Sequence, residues 1–477
     1  MTVFESELHK MEVAGQSQLD KRARLFEALL DSFCGMASST DTPSPKQPHS
    51  SALSRRSFIA GTAVAFPMIV SSGVIARDGK PGANDRIVTG HIGVGGKGTS
   101  HLKGIPDNVG AVCDVDRIHA ENAAARFDRK IAIYSDYREL LDSKDIDAVV
   151  IATPDHWHGL MTVHACQAGK DVYVEKPACK YIKEGRAMVD AAKRYKRVIQ
   201  VGSQGRHHPG SAVLRKFLQE GSIGRVTRVE CWHNDNPVGG DPMNATTPPS
   251  NLDWNLWLGP AAGRAYNPDY CHRNFRWMLD LGGGQIRDRG AHVLNLVSWF
   301  LGLDRTGPTR IEASGKIPES GLWNCPTNFE VTYEFERPDL TIHWAQPGVQ
   351  AADFQFGAVY HGTKGKTIVR GGDGRVFPDE QVVEFANANG MKYALPKGVP
   401  AHDLNLANWL DCIKSREQPV MDMESGHRVA SMCILANLAY RLERPISWDA
   451  KRERIIDDEP ANRLLGTPGR GQWRLPG

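Results

Sequence analysis

Gly93-Val94-Gly95-Gly96-Lys97-Gly98 follows a short apolar strand and opens a helix, and this order of elements narrows the fold more than anything else in the chain. Glycines at the first, third and sixth places let the backbone turn tightly and bring N–H groups up to a pyrophosphate at a helix N-terminus. A strand that feeds such a helix continues into a crossover, so the turn brings a parallel sheet with it. The downstream pattern agrees. Arg86 to Ile92 reads as the first strand, Lys97 to Ile105 as its helix, and Val109 to Cys113 as a second strand ending in Asp114. A helix from Arg117 to Phe127 follows, and Ile146 to Ala152 is a continuous apolar run of the kind buried on both faces of a parallel sheet. The helix His158 to Ala168, strand Val172 to Val174, helix Ile182 to Tyr195 and strand Val198 to Val201 keep the rhythm. The expected fold class is an α/β Rossmann domain, a doubly wound parallel sheet, over residues 85–205.

Past Gln204 the pattern turns to strands. Val226 to Trp232, Thr309 to Ser314, Asn328 to Phe335, Leu340 to Trp344 and Phe354 to His361 are rich in β-branched and aromatic residues with partial alternation. One long helix after Gly284 interrupts them. Residues 206–400 are therefore expected to form an α+β domain on an open, mainly antiparallel sheet. His402 to Lys414 and Glu424 to Leu442 read as two amphipathic helices within a C-terminal part, 401–477, that packs against it. No internal repeat is visible.

The first 84 residues read differently. Residues 1–53 hold one amphipathic stretch and then a Ser/Thr/Pro-rich run, and little fixed structure is expected there; Met36 is an alternative start. Ser54-Arg55-Arg56-Ser57-Phe58-Ile59 precedes an apolar run to Val70 and a small-residue pattern near Val74-Ile75-Ala76. At about thirteen residues the run is too short to span a bilayer, so residues 54–76 are expected to be a cleavable twin-arginine signal peptide, with an uncut anchor as the alternative. Arg77 to Asn84 reads as a linker. The chain is thus expected in the periplasm or outside the cell, with the twin-arginine export machinery as a partner. A nicotinamide enzyme sent there has to carry its cofactor along, because neither the dinucleotide nor its recycling is freely available outside.

Charge and cysteines exclude several function classes. The 477 residues, 41% hydrophobic and 24% charged, have the composition of an ordinary globular protein. A formal net charge of +3 with acids and bases interspersed offers no basic stripe for phosphates, so no nucleic-acid partner is expected. The nine cysteines are scattered and never in C-x-x-C spacing; buried free thiols are expected, and no metal site.

Three clusters carry chemistry. Asp114 ends the second strand about twenty residues past the first glycine, where a carboxylate accepts both ribose hydroxyls and repels a 2′-phosphate; NAD is expected over NADP. Thr153-Pro154-Asp155-His156-Trp157-His158 and Glu175-Lys176-Pro177 each leave the carboxyl end of a strand, where ligands of open α/β sheets bind. Gly93, Gly95, Gly96, Gly98, Asp114, Thr153, Pro154, His158 and Glu175 are accordingly the expected cofactor-binding residues, with His156 and His158 as solvent-facing helix-start residues in the opposing reading. Lys176 is placed to hydrogen-bond a reacting oxygen, or else is a solvated surface charge. In Gly282-Gly283-Gly284-Gln285-Ile286-Arg287-Asp288-Arg289-Gly290-Ala291-His292, Asp288 and His292 stand four apart at the start of an apolar helix and share a face. An imidazole tuned by a carboxylate suits proton transfer from a carbinol, and a buried polar pair is the other reading.

Taken in order, Gly93-x-Gly95-x-x-Gly98, Ala152-Thr153-Pro154, Glu175-Lys176-Pro177, Gly202-Ser203-Gln204 and Asp288-x-x-x-His292 resemble the glucose-fructose oxidoreductase / inositol dehydrogenase / MocA (Gfo/Idh/MocA) family. The resemblance runs from about Asp85 to the end, and Asp253-Trp254-Asn255-Leu256-Trp257-Leu258-Gly259-Pro260 and Ala461-Asn462-Arg463-Leu464-Leu465 resemble its exported branch. It implies a Rossmann domain plus a substrate domain, tightly bound NAD, a sugar or polyol substrate, a homo-oligomer, and Lys176, Asp288 and His292 at the reaction centre. His292 is then the favoured proton acceptor, with Lys176 as the other candidate because coupled groups titrate together. Arg206, Trp254, Arg276 and Trp277 are the expected substrate contacts, with His207, His208 and Trp232 nearby. Hydride transfer is the favoured activity. The alternatives are a redox-neutral glycosidase or lyase working through a keto-sugar, whose family representatives lack this D-x-x-x-H arrangement, and a carbohydrate-binding protein that has lost turnover.

Overall fold

A computed structural model describes residues 86–348, 356–372 and 375–475, so the expectations for the N-terminal extension, the twin-arginine segment and the linker lie outside the described residues. The amino-terminal half is built as β1 (Thr89–Ile92), α1 (Gly96–Gly104), β2 (Val109–Cys113), α2 (Arg117–Ala124), β3 (Ala132–Tyr134), α3 (Tyr137–Asp142), β4 (Ala148–Ile151), α4 (Asp155–Gln167), β5 (Asp171–Glu175), α5 (Ile182–Arg194) and β6 (Ile199–Gly202). All six strands are parallel, in the order β3-β2-β1-β4-β5-β6. The strand order reverses between β1 and β4, which leaves a crevice beyond their carboxyl ends. β1, β4, β5 and β6 are buried at every residue, as expected for strands covered on both faces. β3 is absent from the sequence reading: three residues at a sheet edge, two of them exposed, leave no hydrophobic period to detect.

Caps set the helix starts. Asp116 Oδ1 accepts from Ile118 N at 2.9 Å to begin α2, and Glu184 Oε2 reaches back to Tyr181 N at 3.1 Å to close the first turn of α5.

The second half contains α6 (Pro209–Gln219), β7 (Val226–Trp232), α7 (Trp254–Leu258), α8 (Gln285–Asp288), α9 (Gly290–Phe300), β8 (Arg310–Lys316), β9 (Thr327–Phe335), β10 (Leu340–Gln346), β11 (Phe356–Gly362), β12 (Gly365–Gly372), β13 (Arg375–Pro378), α10 (Glu380–Ala388), α11 (Ala401–Ser415), α12 (Met423–Leu442), β14 (Ile446–Asp449) and β15 (Arg454–Ile455). Nine strands form an open sheet ordered β13-β12-β11-β7-β10-β9-β8-β14-β15, antiparallel throughout except where β7 meets β10. Alternation decides which face is inside. Phe329, Val331, Tyr333 and Phe335 are buried along β9 while Asn328, Glu330 and Glu334 point outward. α12 covers the inner face, with Tyr333 Oη donating to Met432 O at 3.2 Å.

Two features depart from the sequence reading. The single helix expected after Gly284 is two, α8 and α9, divided at Arg289. The C-terminal helices also do not both close on the second sheet. α11 returns to the Rossmann domain, where Leu406 and Trp409 pack on Ala148, Val150 and Tyr173, and only α12 lies against the open sheet. All eight described cysteines are free thiols, buried except for half-buried Cys271.

Candidate active site

The glycine turn opens onto a cavity of about 580 Å³ that runs from the ends of β1, β2, β4 and β5 to α8 and α9 of the second domain. Gly93 takes φ +80°, and a Cβ there would stand 2.9 Å from the Ala152 backbone. At Gly98 a Cβ would meet the Gly93 carbonyl at 1.9 Å, so only a glycine lets α1 sit this close to β1. Gly96 has open space where a side chain would otherwise fill the cavity. Asp114 lines the wall, its Oδ2 accepting from Val94 N at 2.9 Å. Turn, carboxylate and the cavity-lining Thr153 and Pro154 together form a cradle that fits a dinucleotide.

The three residues expected at the reaction centre, Lys176, Asp288 and His292, line this one cavity across the domain boundary. Lys176 Nζ donates to Asp288 Oδ1 at 2.6 Å and to Asp288 O at 2.9 Å. Glu175, one residue earlier, is buried; Oε1 accepts from His101 Nε2 at 2.9 Å and Gln204 Nε2 at 3.0 Å, and Oε2 accepts from Lys176 N at 3.0 Å. Burial pushes its carboxyl up, but the His101 hydrogen bond and the Lys97 charge outweigh that and hold it well below the usual carboxylate range. Glu175 lines the cavity, yet its oxygens are spent on orienting the lysine's strand end. Asp288 is likewise lowered despite burial, by the charges of Lys176, Arg276 and Arg289. His292 faces the same cavity; burial, then the positive charges of Lys176 and Arg289, lower its imidazole to about 3, so it is a neutral ring with an available lone pair. The i,i+4 relation foreseen for Asp288 and His292 is interrupted at Arg289, and the carboxylate bonds to the lysine instead of the imidazole.

Several expected contacts are elsewhere. His158 lies beneath the cavity, its Nδ1 2.8 Å from Pro177 O and its Nε2 2.9 Å from Thr153 O, so it braces the two strand-end loops and has no atom left for a cofactor. His156 is buried rather than solvent-facing, 2.9 Å from Trp257 O. Arg206 is 3% exposed and holds Asp304 through both Nη atoms and Asn295 through Nε, which removes it from any substrate. Trp254 stacks on Trp257 and donates to Arg264 O, a packing role. Trp277 and Trp232 are not among the cavity-lining residues, and Trp232 is buried. Of the four, Arg276 alone reaches the site, with Nε 3.3 Å from Asp288 Oδ1.

The structure also brings in residues that the sequence did not single out. Arg289 lines the cavity with Nε 3.6 Å from Asp288 Oδ2, and its place directly after Asp288 is the one local signal for it. Asp116, His119 and His272 have ligand-type atoms all within 4.8 Å of one another, and His119 and His272 line the cavity. His272 arrives from a segment more than 150 residues away, so no local spacing announces that cluster.

Known proteins agree with this architecture. Residues 87–203 match the Gfo/Idh/MocA model described as oxidoreductase family, NAD-binding Rossmann fold, and residues 222–475 match that family's C-terminal alpha/beta domain. Levoglucosan dehydrogenase of Pseudarthrobacter phenanthrenivorans is 30% identical over 188 residues, 38% of this chain and 40% of that protein. Inositol 2-dehydrogenase of Klebsiella pneumoniae subsp. pneumoniae is 31% identical over 156 residues, 31% of this chain and 46% of that protein. The aligned part therefore spans less than half of either relative. Among solved structures, the WlbA dehydrogenase of Bordetella pertussis in complex with NADH and UDP-GlcNAcA superposes with a TM-score of 0.58 at 19% identity, covering 76% of this chain and 99% of that one. Levoglucosan dehydrogenase in complex with NADH and levoglucosan gives 0.55 at 18% identity, covering 76% and 98%. At these identities the likeness speaks for the fold alone. With both of its domains matched by the family's own models, the chain belongs to the Gfo/Idh/MocA oxidoreductase family.

Proposed function

We propose that this protein transfers a hydride between a carbinol carbon of a sugar or polyol and a tightly held NAD. The observation that carries the reading is the pairing of Lys176 from the Rossmann domain with Asp288 from the second domain, with His292 facing the same cavity onto which the glycine turn opens. NAD, when bound, supplies the two-electron acceptor or donor. The turn at Gly93–Gly98 would hold its phosphates and Asp114 its ribose, a carboxylate that repels a 2′-phosphate. The chain's own residues handle the oxygen and its proton. Lys176, fixed by Asp288, donates a hydrogen bond to the substrate oxygen, and neutral His292 takes the hydroxyl proton as the carbon becomes a carbonyl. The names of the relatives, levoglucosan and inositol dehydrogenases, support a sugar or polyol substrate.

Arg55-Arg56 with the apolar run behind it supports export of the folded protein to the periplasm or beyond, cofactor included. Assembly of copies through the outer face of the nine-stranded sheet fits the same scheme.

Lys176→Ala tests the catalytic assignment. Reduction of the bound nicotinamide by a panel of sugars and polyols should fall about 10²–10⁴-fold, the usual share of a positioned acid–base group, while NAD remains bound. Undiminished turnover would remove Lys176 from the mechanism.

A further inference from the structure

One carboxylate in the cavity faces three cations. Asp288 Oδ1 is 2.6 Å from Lys176 Nζ and 3.3 Å from Arg276 Nε, and its Oδ2 is 3.6 Å from Arg289 Nε. Among the described residues neither guanidinium has another acidic partner, so Lys176, Arg276 and Arg289 together outnumber the Asp288 carboxylate by two positive charges. Both side chains are somewhat over a quarter exposed, and both line the cavity. The cofactor does not account for them. Its phosphates have the glycine turn and Lys97 of the Rossmann domain, whereas Arg276 and Arg289 come from the second domain and stand beside Asp288.

We infer that the substrate is a sugar acid whose carboxylate is bound by Arg276 and Arg289. This rests on the hydride-transfer reading and names the substrate class for it. A neutral sugar closing the cavity would strip water from two uncompensated guanidiniums with nothing to replace it, while a carboxylate returns both charge and hydrogen bonds. Arginine is suited to that task, because its planar fork matches a carboxylate's two oxygens and stays charged at any working pH. The same anion would also serve the base. The charges of Lys176 and Arg289 are among the causes that depress His292, and a carboxylate set against Arg289 weakens that field when the proton has to be taken up.

Matched probes on the NAD-loaded protein decide the matter: D-glucuronate and D-galacturonate, their methyl esters, the neutral hexoses and the hexose 6-phosphates, with affinity read by isothermal titration calorimetry and reduction by nicotinamide absorbance. At least one hexuronate should bind tenfold or more tightly than its methyl ester. Arg276→Gln and Arg289→Gln should each bring that ratio towards one with NAD affinity within twofold of the parent, and Arg289→Lys should retain part of it. Esters or neutral hexoses binding as well as the acids, hexose phosphates binding more tightly than hexuronates, or no hexuronate binding at all would overturn the inference. Neutral hexoses that reduce the nicotinamide while acids do not would overturn it and leave the oxidoreductase reading standing. Hexuronates that bind by the arginines without reducing the nicotinamide would uphold the carboxylate site and count against hydride transfer.

Discussion

Lys176 and Asp288 stand 112 residues apart in the chain and 2.6 Å apart in space, and each was visible in the sequence for a local reason: a lysine at a strand exit, an acid at a helix start. Their partnership was not, because a local pattern says where a side chain begins and not which distant one it meets. Arg206 shows the converse. It looked like a sugar contact at a domain junction, but the fold supplies Asp304 and Asn295, and a buried guanidinium keeps the partners that satisfy it. Two buried imidazoles and a half-buried one in the cavity wall give this chain a specific acid sensitivity. His91, His156 and His292 are all lowered to about 3, foremost by burial, so the unfolded chain binds protons that the folded one refuses. With folded values depressed below 6.5, the stability they contribute is present above that pH and is lost as pH falls from about 6.5 towards 3. Thermal unfolding scans from pH 7.5 to 4.5 should therefore show Tm falling, against the opposite contribution of the Glu184 carboxyl, which burial raises to about 7. His156→Gln, whose amide can still donate to Trp257 O, should flatten that decline; an unchanged slope would contradict the assignment.

At the scale of elements, the Rossmann strands and helices were legible because each repeats a period over enough residues. β4, wholly apolar, and α5, with Glu184 closing its first turn, fall where the pattern put them. The failures share a cause. β3 is too short to show a period, and the break between α8 and α9 falls at Arg289, directly before Gly290, where a single glycine in a helical pattern does not by itself announce a break. The approach of α1 to β1 is a tertiary fact written in one glycine. Gly98→Ala places a methyl 1.9 Å from the Gly93 carbonyl, which forces the helix outward; about 1–3 kcal/mol of stability should be lost in urea unfolding, together with NAD binding by calorimetry. α11 depends on its anchor in the same way. Trp409 is fully buried against Tyr173, their rings 5.7 Å apart and edge-on, and Trp409→Ala should cost about 3–5 kcal/mol, measured by the same unfolding curves.

For the whole molecule, the decisive feature is that the chain crosses its own domain boundary more than once, with the second domain supplying Asp288, Arg276 and His292 to the Rossmann crevice and α11 returning to cover the first sheet. Export belongs to this scale too. If Arg55 and Arg56 direct a folded, cofactor-loaded protein outward, replacing both with Lys should leave it in the cytoplasm of a fractionated cell, whereas equal amounts in the periplasm would count against the twin-arginine route. By itself the sequence determined the α/β class, the nucleotide turn and the carboxylate at the second strand's end, since turns and strand periods are local properties of neighbouring residues, and it offered Lys176, Asp288 and His292 as candidates that the family resemblance drew together. Only tertiary structure decided that Asp288 serves the lysine rather than the histidine, that His158 and Arg206 are braces, and that Arg276 and Arg289 leave positive charge unspent in the cleft. Those outcomes depend on which side chains and backbone carbonyls meet across long loops, and on what burial does to their charges, and neither is encoded in the spacing of residues along the chain.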